Sequence, residues 1–205
     1  GVNTSSGAIS LTGTTIDGGG VNSSSGAVTL VDGSVTNAPG TGINTSTGAI
    51  SLTRSLVSGS DSRGINSSSG AISLVNSTVS GNDGGIYGGS STITLDAVTV
   101  TLNDVDGEGV GIDTSGGTIS MTHTIVAGHG QDCDVAATTA QYSMDSDGSC
   151  GLAGAGNLSN ANPLLGPLAN NGGPTLTHLP QAGSPAIDSG SNGLCQAVDQ
   201  RGVAR

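Results

Sequence analysis

Two stretches decide the fold: Gly42–Leu52, GINTSTGAISL, and Gly64–Leu74, GINSSSGAISL. Outward from them the same pattern returns as GVNTSSGAISL from Gly1, GVNSSSGAVTL from Gly20, GIYGGSSTITL from Gly85 and GIDTSGGTISM from Gly111. The starts at 1, 20, 42, 64, 85 and 111 give steps of 19, 22, 22, 21 and 26 residues. Each copy carries a second block: TTIDG, GSVTN, SLVSG, STVSG, VTVTL and TIVAG. Self-similarity at such a period signals a repeat architecture whose units bury their apolar faces only by stacking.

Within AISL the Ile and Leu stand two apart, so in a strand they share one face. Stacking the copies predicts four inward columns. They are Ile9/Val28/Ile50/Ile72/Ile93/Ile119, Leu11/Leu30/Leu52/Leu74/Leu95/Met121, Ile16/Val35/Val57/Val79/Val100/Val126 and Val2/Val21/Ile43/Ile65/Ile86/Ile112. The pattern predicts an all-β parallel β-helix, a β-solenoid with three short strands per coil of about 22 residues. No helical periodicity competes with it. Residues 1–130 form the repeats. From about Gln131 the repeat lapses, and five of the six prolines fall between Asn162 and Gly190. Residues 131–205 are therefore expected as an irregular C-terminal cap or small end-packed domain, since a solenoid must cover its last coil.

Composition agrees. The chain has 205 residues, 37 glycines, no Trp, no Phe and two Tyr, so any core is aliphatic and thin. Lysine is absent and the net charge is −11, which argues against nucleic acid and anionic membrane as partners. No apolar run approaches the ~18–20 residues of a membrane span. Gly1 opens on a repeat copy, so any leader is expected upstream. Cys133 and Cys150 flank a short polar loop and are expected to form a disulfide in an oxidising compartment. Cys195 is then odd, either free or paired outside these residues.

Asn3, Asn22, Asn44 and Asn66 share one repeat position, with Tyr87 and Asp113 in the later copies. An amide ladder between coils is one reading. Glycosylation is the other, because each Asn begins an N-x-S/T sequon. The longest coil contains NDVDGEGVGID, where Asp104, Asp106, Glu108 and Asp113 offer hard oxygen ligands at near-alternate positions. Calcium is the candidate ion there, although the pattern is not an EF-hand, and solvated turn acids are the plainer reading. No cofactor is required.

The outward positions beside the inward Ile column pair Ala8 with Ser10, Ala27 with Thr29, Ala49 with Ser51, Ala71 with Ser73, Thr92 with Thr94 and Thr118 with Ser120. This small, uncharged face suits close lateral packing against another copy or another protein. A flat Thr-bearing face also suits ice, though only one coil has a clean Thr-x-Thr. Polysaccharide binding or cleavage is a further alternative. Cleavage by elimination needs cations beside a metal, and the coils hold only Arg54 and Arg63. The balance leans against an enzyme, and no catalytic residue is assigned.

The stretch DGSCGLAGAGNLSNANPLLGPLANNGGPTLTHLPQAGSPAIDSGSNGLCQAVDQRGVAR, Asp147 to Arg205, resembles the choice-of-anchor Q domain of bacterial surface and secreted proteins. The coils resemble the repeats that precede it, of the GGGIYNSGGTLTLTNSTVSGN type, related to polymorphic outer-membrane-protein repeats. Gly84, Gly85, Ile86 and Tyr87 are the nearest match. The resemblance covers essentially the whole chain. It implies a right-handed parallel β-helix, export, and a role on or near the cell surface. With the regular coils and small flat faces, the leading expectation is a structural or adhesive segment at the cell surface or outside the cell, assembling into fibres with other copies or packing on other surface proteins, with glycans as alternative partners. Members continue past DQRG with another Cys, which implies a partner for Cys195. The resemblance carries over no catalytic residue.

Overall fold

The structure is a computed structural model of the chain and describes residues 1–104 and 109–205. Among the described residues twenty-one strands, numbered in chain order, form three seven-stranded parallel sheets. The first sheet holds β1 (Val2–Thr4), β4 (Val21–Ser23), β7 (Ile43–Thr45), β10 (Arg63–Ser67), β13 (Gly84–Gly88), β16 (Val110–Asp113) and β19 (Gln131–Cys133). The second holds β2 (Ile9–Thr12), β5 (Val28–Val31), β8 (Ile50–Thr53), β11 (Ile72–Val75), β14 (Thr92–Asp96), β17 (Thr118–Thr122) and β20 (Thr139–Gln141). The third holds β3 (Thr15–Asp17), β6 (Ser34–Thr36), β9 (Leu56–Ser58), β12 (Thr78–Ser80), β15 (Thr99–Thr101), β18 (Ile125–Ala127) and β21 (Met144–Asp145). Each coil contributes one strand to each sheet, so the chain is a β-solenoid. No described helix is long and apolar enough to cross a membrane.

All four expected columns point inward and stack in register. From the second coil to the sixth their members are buried. In the first coil Val2, Leu11 and Ile16 are only partly buried, because they have neighbours on one side alone. Aromatics are unnecessary because each coil spans only a few side chains across, and branched aliphatics fill that width.

Two corners turn on left-handed residues. One lane is Gly13, Asp32, Arg54, Asn76, Ala97, His123 and Tyr142, between the second and third sheets. The other is Gly18, Asn37, Gly59, Gly81, Leu102 and Gly128, between the third and first. At the third corner glycine answers to crowding. A Cβ on Gly26, Gly48 or Gly70 would overlap the carbonyl oxygen of Gly7, Gly26 or Gly48 in the coil before it. The fifth coil seats Ser91 at this place and makes its close approach at Gly89 instead, against Ser68. Gly70→Ala is therefore expected to cost about 2 kcal/mol, since backbone must move to admit the methyl. Gly116→Ala, where nothing lies within 4 Å, is the control for propensity alone. Urea denaturation of the two variants checks this; equal costs would refute the crowding account.

Polar lanes run along the corners. Ser77 Oγ accepts from the Ser55 amide at 3.1 Å and donates to Val75 O at 2.9 Å, and Ser143 Oγ accepts from the Thr124 amide at 3.2 Å. Asn82 and Asn103 lie fully buried at the corner between the third and first sheets. Asn82 Nδ2 donates to Asn103 Oδ1 at 2.8 Å, Asn103 Nδ2 donates to Val79 O at 3.0 Å, and Asn82 Oδ1 accepts from the Ser60 amide at 3.0 Å. Each buried amide thus satisfies backbone that a turn would otherwise orphan.

Strand pairing continues past residue 130. Cys133 stands in register with Ile112, Ala140 with Met121 and Asp145 with Val126, making a seventh coil. Asp145 replaces a core valine with a carboxylate that faces the end of the stack. It accepts from the amides of Cys150 at 3.0 Å and Asn160 at 2.9 Å, which ties down the covering segment 146–161. The Cys133–Cys150 disulfide staples the same segment to the first sheet, with both residues fully buried.

The Pro-rich stretch lies elsewhere than over the end. Residues 162–205 run back along the solenoid flank, from the third sheet to the corner it shares with the second. Asn76 Nδ2 donates to Val198 O at 3.0 Å, Thr78 Oγ1 donates to Gln200 Oε1 at 2.8 Å, and Thr175 Oγ1 donates to Arg54 O at 3.4 Å. The physical reason is that the flank's Thr78 and Ser80 hydroxyls meet Gln200 and His178 of a prolyl chain that cannot form a full strand ladder.

Candidate functional site

The outward lane of the first sheet is the chemically richest surface. Its register joins Asn3, Asn22, Asn44, Asn66, Tyr87 and Asp113. Asn22 Nδ2 donates to Asn3 Oδ1 at 2.9 Å and Asn66 Nδ2 donates to Asn44 Oδ1 at 2.6 Å. The lane thus carries two amide pairs on a surface that is exposed at Asn3 and half-buried beyond it.

From the fourth coil the amides give way to other groups. Arg63, at the start of β10, lays its guanidinium over the Tyr87 ring at 4.1 Å. The same group stands 3.7 Å from Asp113 Oδ2 and 3.5 Å from Asn66 Oδ1. The Arg63–Asp113 pair is too exposed to stabilise the fold by more than about 1 kcal/mol. Asp134, which follows Cys133 as Asp113 follows Ile112, sets its carboxylate beside that of Asp113 and accepts from the Thr114 amide at 3.1 Å. Burial and then the Asp134 contact raise Asp113 above the ordinary carboxylate value, against the pull of Arg63. Tyr87 Oη lies 3.0 Å from Ser115 Oγ.

Beside this lane is a groove of about 330 Å³ lined by Asp61, Ser62, Arg63, Asp83, Gly84, Gly85, Ile86, Val110 and Asp113. Guanidinium and carboxylates on one wall present donors and acceptors of the kind that hydroxyl-rich ligands use.

Of the acids of the long coil, two lie among the described residues. Asp104 Oδ2 accepts from the Gly130 amide at 2.7 Å, towards the sixth coil, while Asp113 faces Arg63 and Asp134. Asp106 and Glu108 lie outside the described residues. Among the described residues no three His, Cys, Asp or Glu side chains gather to hold a metal.

The flat face stands on the second sheet. Ser10, Thr29, Ser51, Ser73, Thr94 and Ser120 are in register, and Ser120 Oγ meets Thr139 Oγ1 at 2.7 Å. Thr29 and Ser120 are half-buried and the other four are exposed. Cys195 is a free, half-buried thiol on the flank, 3.6 Å from the Arg205 guanidinium.

Sequence reasoning finds Tyr87 and Asp113 at the ladder position but misses Asp134, because the repeat text lapses just where it occurs. The Arg63–Tyr87 stack is not given by register, since Arg63 pairs with Gly84 and Tyr87 with Asn66. Neither a family model, nor a curated protein, nor a solved structure matches this chain.

Proposed function

We propose that this chain is a structural or adhesive segment of an exported bacterial surface protein, packing laterally through the second sheet. The carrying observation is the second sheet's outward lane, an uncharged row of small side chains in unbroken register over the coils. The arm covers part of the flank at the third sheet. Small side chains let two sheets approach closely. The Cys133–Cys150 disulfide supports export, since such bonds persist in oxidising compartments. Sedimentation equilibrium over a wide concentration range tests the reading. Reversible association is expected, and Ser73→Arg should weaken it at least tenfold. A single monomer mass at every concentration would overturn it.

A second reading, glycan binding, is favoured by the groove beside Arg63. A glycan array followed by Arg63→Ala checks it: hits that survive the substitution place binding elsewhere.

A further inference from the structure

We propose that residues 162–205 form an arm latched to the solenoid by hydrogen bonds to His123 and His178, and that mild acid releases it.

The geometry fixes a neutral ring at His123 and a proton on Nδ1 at His178, whose burial disfavours a second proton. His178 lies on the arm, only 8% exposed. Its Nδ1 is 2.7 Å from Gly166 O, which can only accept, so that nitrogen carries a proton. Its Nε2 is 2.8 Å from Ser80 Oγ on β12, and in the neutral ring it accepts from that hydroxyl. His123 lies on the solenoid corner. Its Nε2 is 2.9 Å from the backbone N–H of Ser191 in the arm. A backbone N–H cannot accept, so Nε2 must keep its lone pair and the ring must stay neutral. A proton added there would face the Ser191 N–H directly. The Tyr142 ring stacks on His123 at 5.6 Å and shields it further.

Other contacts of the arm with the solenoid include the neutral hydrogen bonds of Asn76 with Val198, Gln200 with Thr78 and Ser55, and Thr175 with Arg54. Gln196 also donates to the Asp96 carboxylate, and Arg205 donates to Asn76. The charged and titratable groups around the latches are few. Asp96 and Arg205 act on His123 in opposite directions, and Asp188 and Cys195 share its cavity. Asp199, Arg201 and Arg205 line the cavity beside His178. Asp199 is held below the ordinary carboxylate value: burial opposes this, but hydrogen bonds from Val203 and Arg201 outweigh it. Asp199 therefore stays ionised at pH 5.5.

Burial lowers both histidines from their ordinary value near 6.5. A ring that is harder to protonate when docked favours docking fully above that value. The advantage falls as pH drops below it, by up to about tenfold per pH unit for each ring, until the docked value is reached. Release would uncover the Thr78 and Ser80 hydroxyls of the third sheet and the Cys195 thiol.

Hydrogen–deuterium exchange of the full chain at pH 7.5 and 5.5, corrected for intrinsic rates, is the test. Arm peptides within 162–205 are expected to exchange at least tenfold faster at pH 5.5, with the coils 42–101 unchanged. A chain with both His123→Gln and His178→Gln keeps an amide donor and acceptor at each latch and should lose the acceleration. No acceleration in the unmodified chain overturns the proposal, as does equal acceleration in the double variant. Should the double variant fail to protect its arm at pH 7.5, NMR titration of the unmodified chain decides. Values below 6.5 for both rings support the latch; a value at or above 6.5 for either one overturns it.

Discussion

Leu74→Ala is expected to cost about 3–4 kcal/mol of folding stability. Leu74 is wholly buried in the middle of its column, between Leu52 and Leu95. β11 is held by parallel ladders to β8 and β14 on both sides, so relaxation is small and the cavity persists. Leu11→Ala is the internal comparison. Leu11 is only partly buried and has a column neighbour on one side, so its loss should cost less than half as much. The damage should also be local. In a stack where each coil touches only its neighbours, weakening the fourth coil splits the cooperative unit there. Exchange should rise in residues 64–95 before it rises at the cap. Urea denaturation supplies the energies, and equal costs for the two substitutions would show that the columns are not packed as described.

Replacing both Cys133 and Cys150 by alanine should cost about 3 kcal/mol, the value expected for a bridge closing a loop of this length. The sequence separation is 17 residues and both residues are fully buried at the closed end. The first consequence falls on segment 146–161, where the remaining ties include the two amides bound to Asp145. The arm leaves the solenoid from this segment, so its docking should weaken next. Denaturation with and without reductant measures the cost, and exchange mapping gives the order. A loss under 1 kcal/mol, or an arm that opens before the cap, would contradict this account of the end.

Much of this was legible because the repeat is written in the same letters that build the core. Ile50, Leu52 and Val57 occupy the same inward places as Ile72, Leu74 and Val79, and a two-residue side-chain period leaves no other face for them. The disulfide was legible for a different reason: Cys133 and Cys150 bracket one short loop. The site was harder. Asp104 and Asp113 look like neighbours in the text, yet strand pairing sends them to different partners, Gly130 and Asp134. Spacing along a strand says nothing about the coil above it.

By itself the sequence determined the three-strand coil, the four buried columns and the small-residue face, because register between near-identical copies leaves one way to stack them. Only the tertiary structure decided where the last third goes. Asp145 and the disulfide close the end with residues 146–161, and the prolyl arm turns back to the hydroxyls of Thr78 and Ser80. Its course depends on contacts such as Asn76 with Val198 and Ser80 with His178, about a hundred residues or more apart in the chain. No local pattern encodes such contacts, since one hydroxyl or amide can serve many partners until the fold selects one.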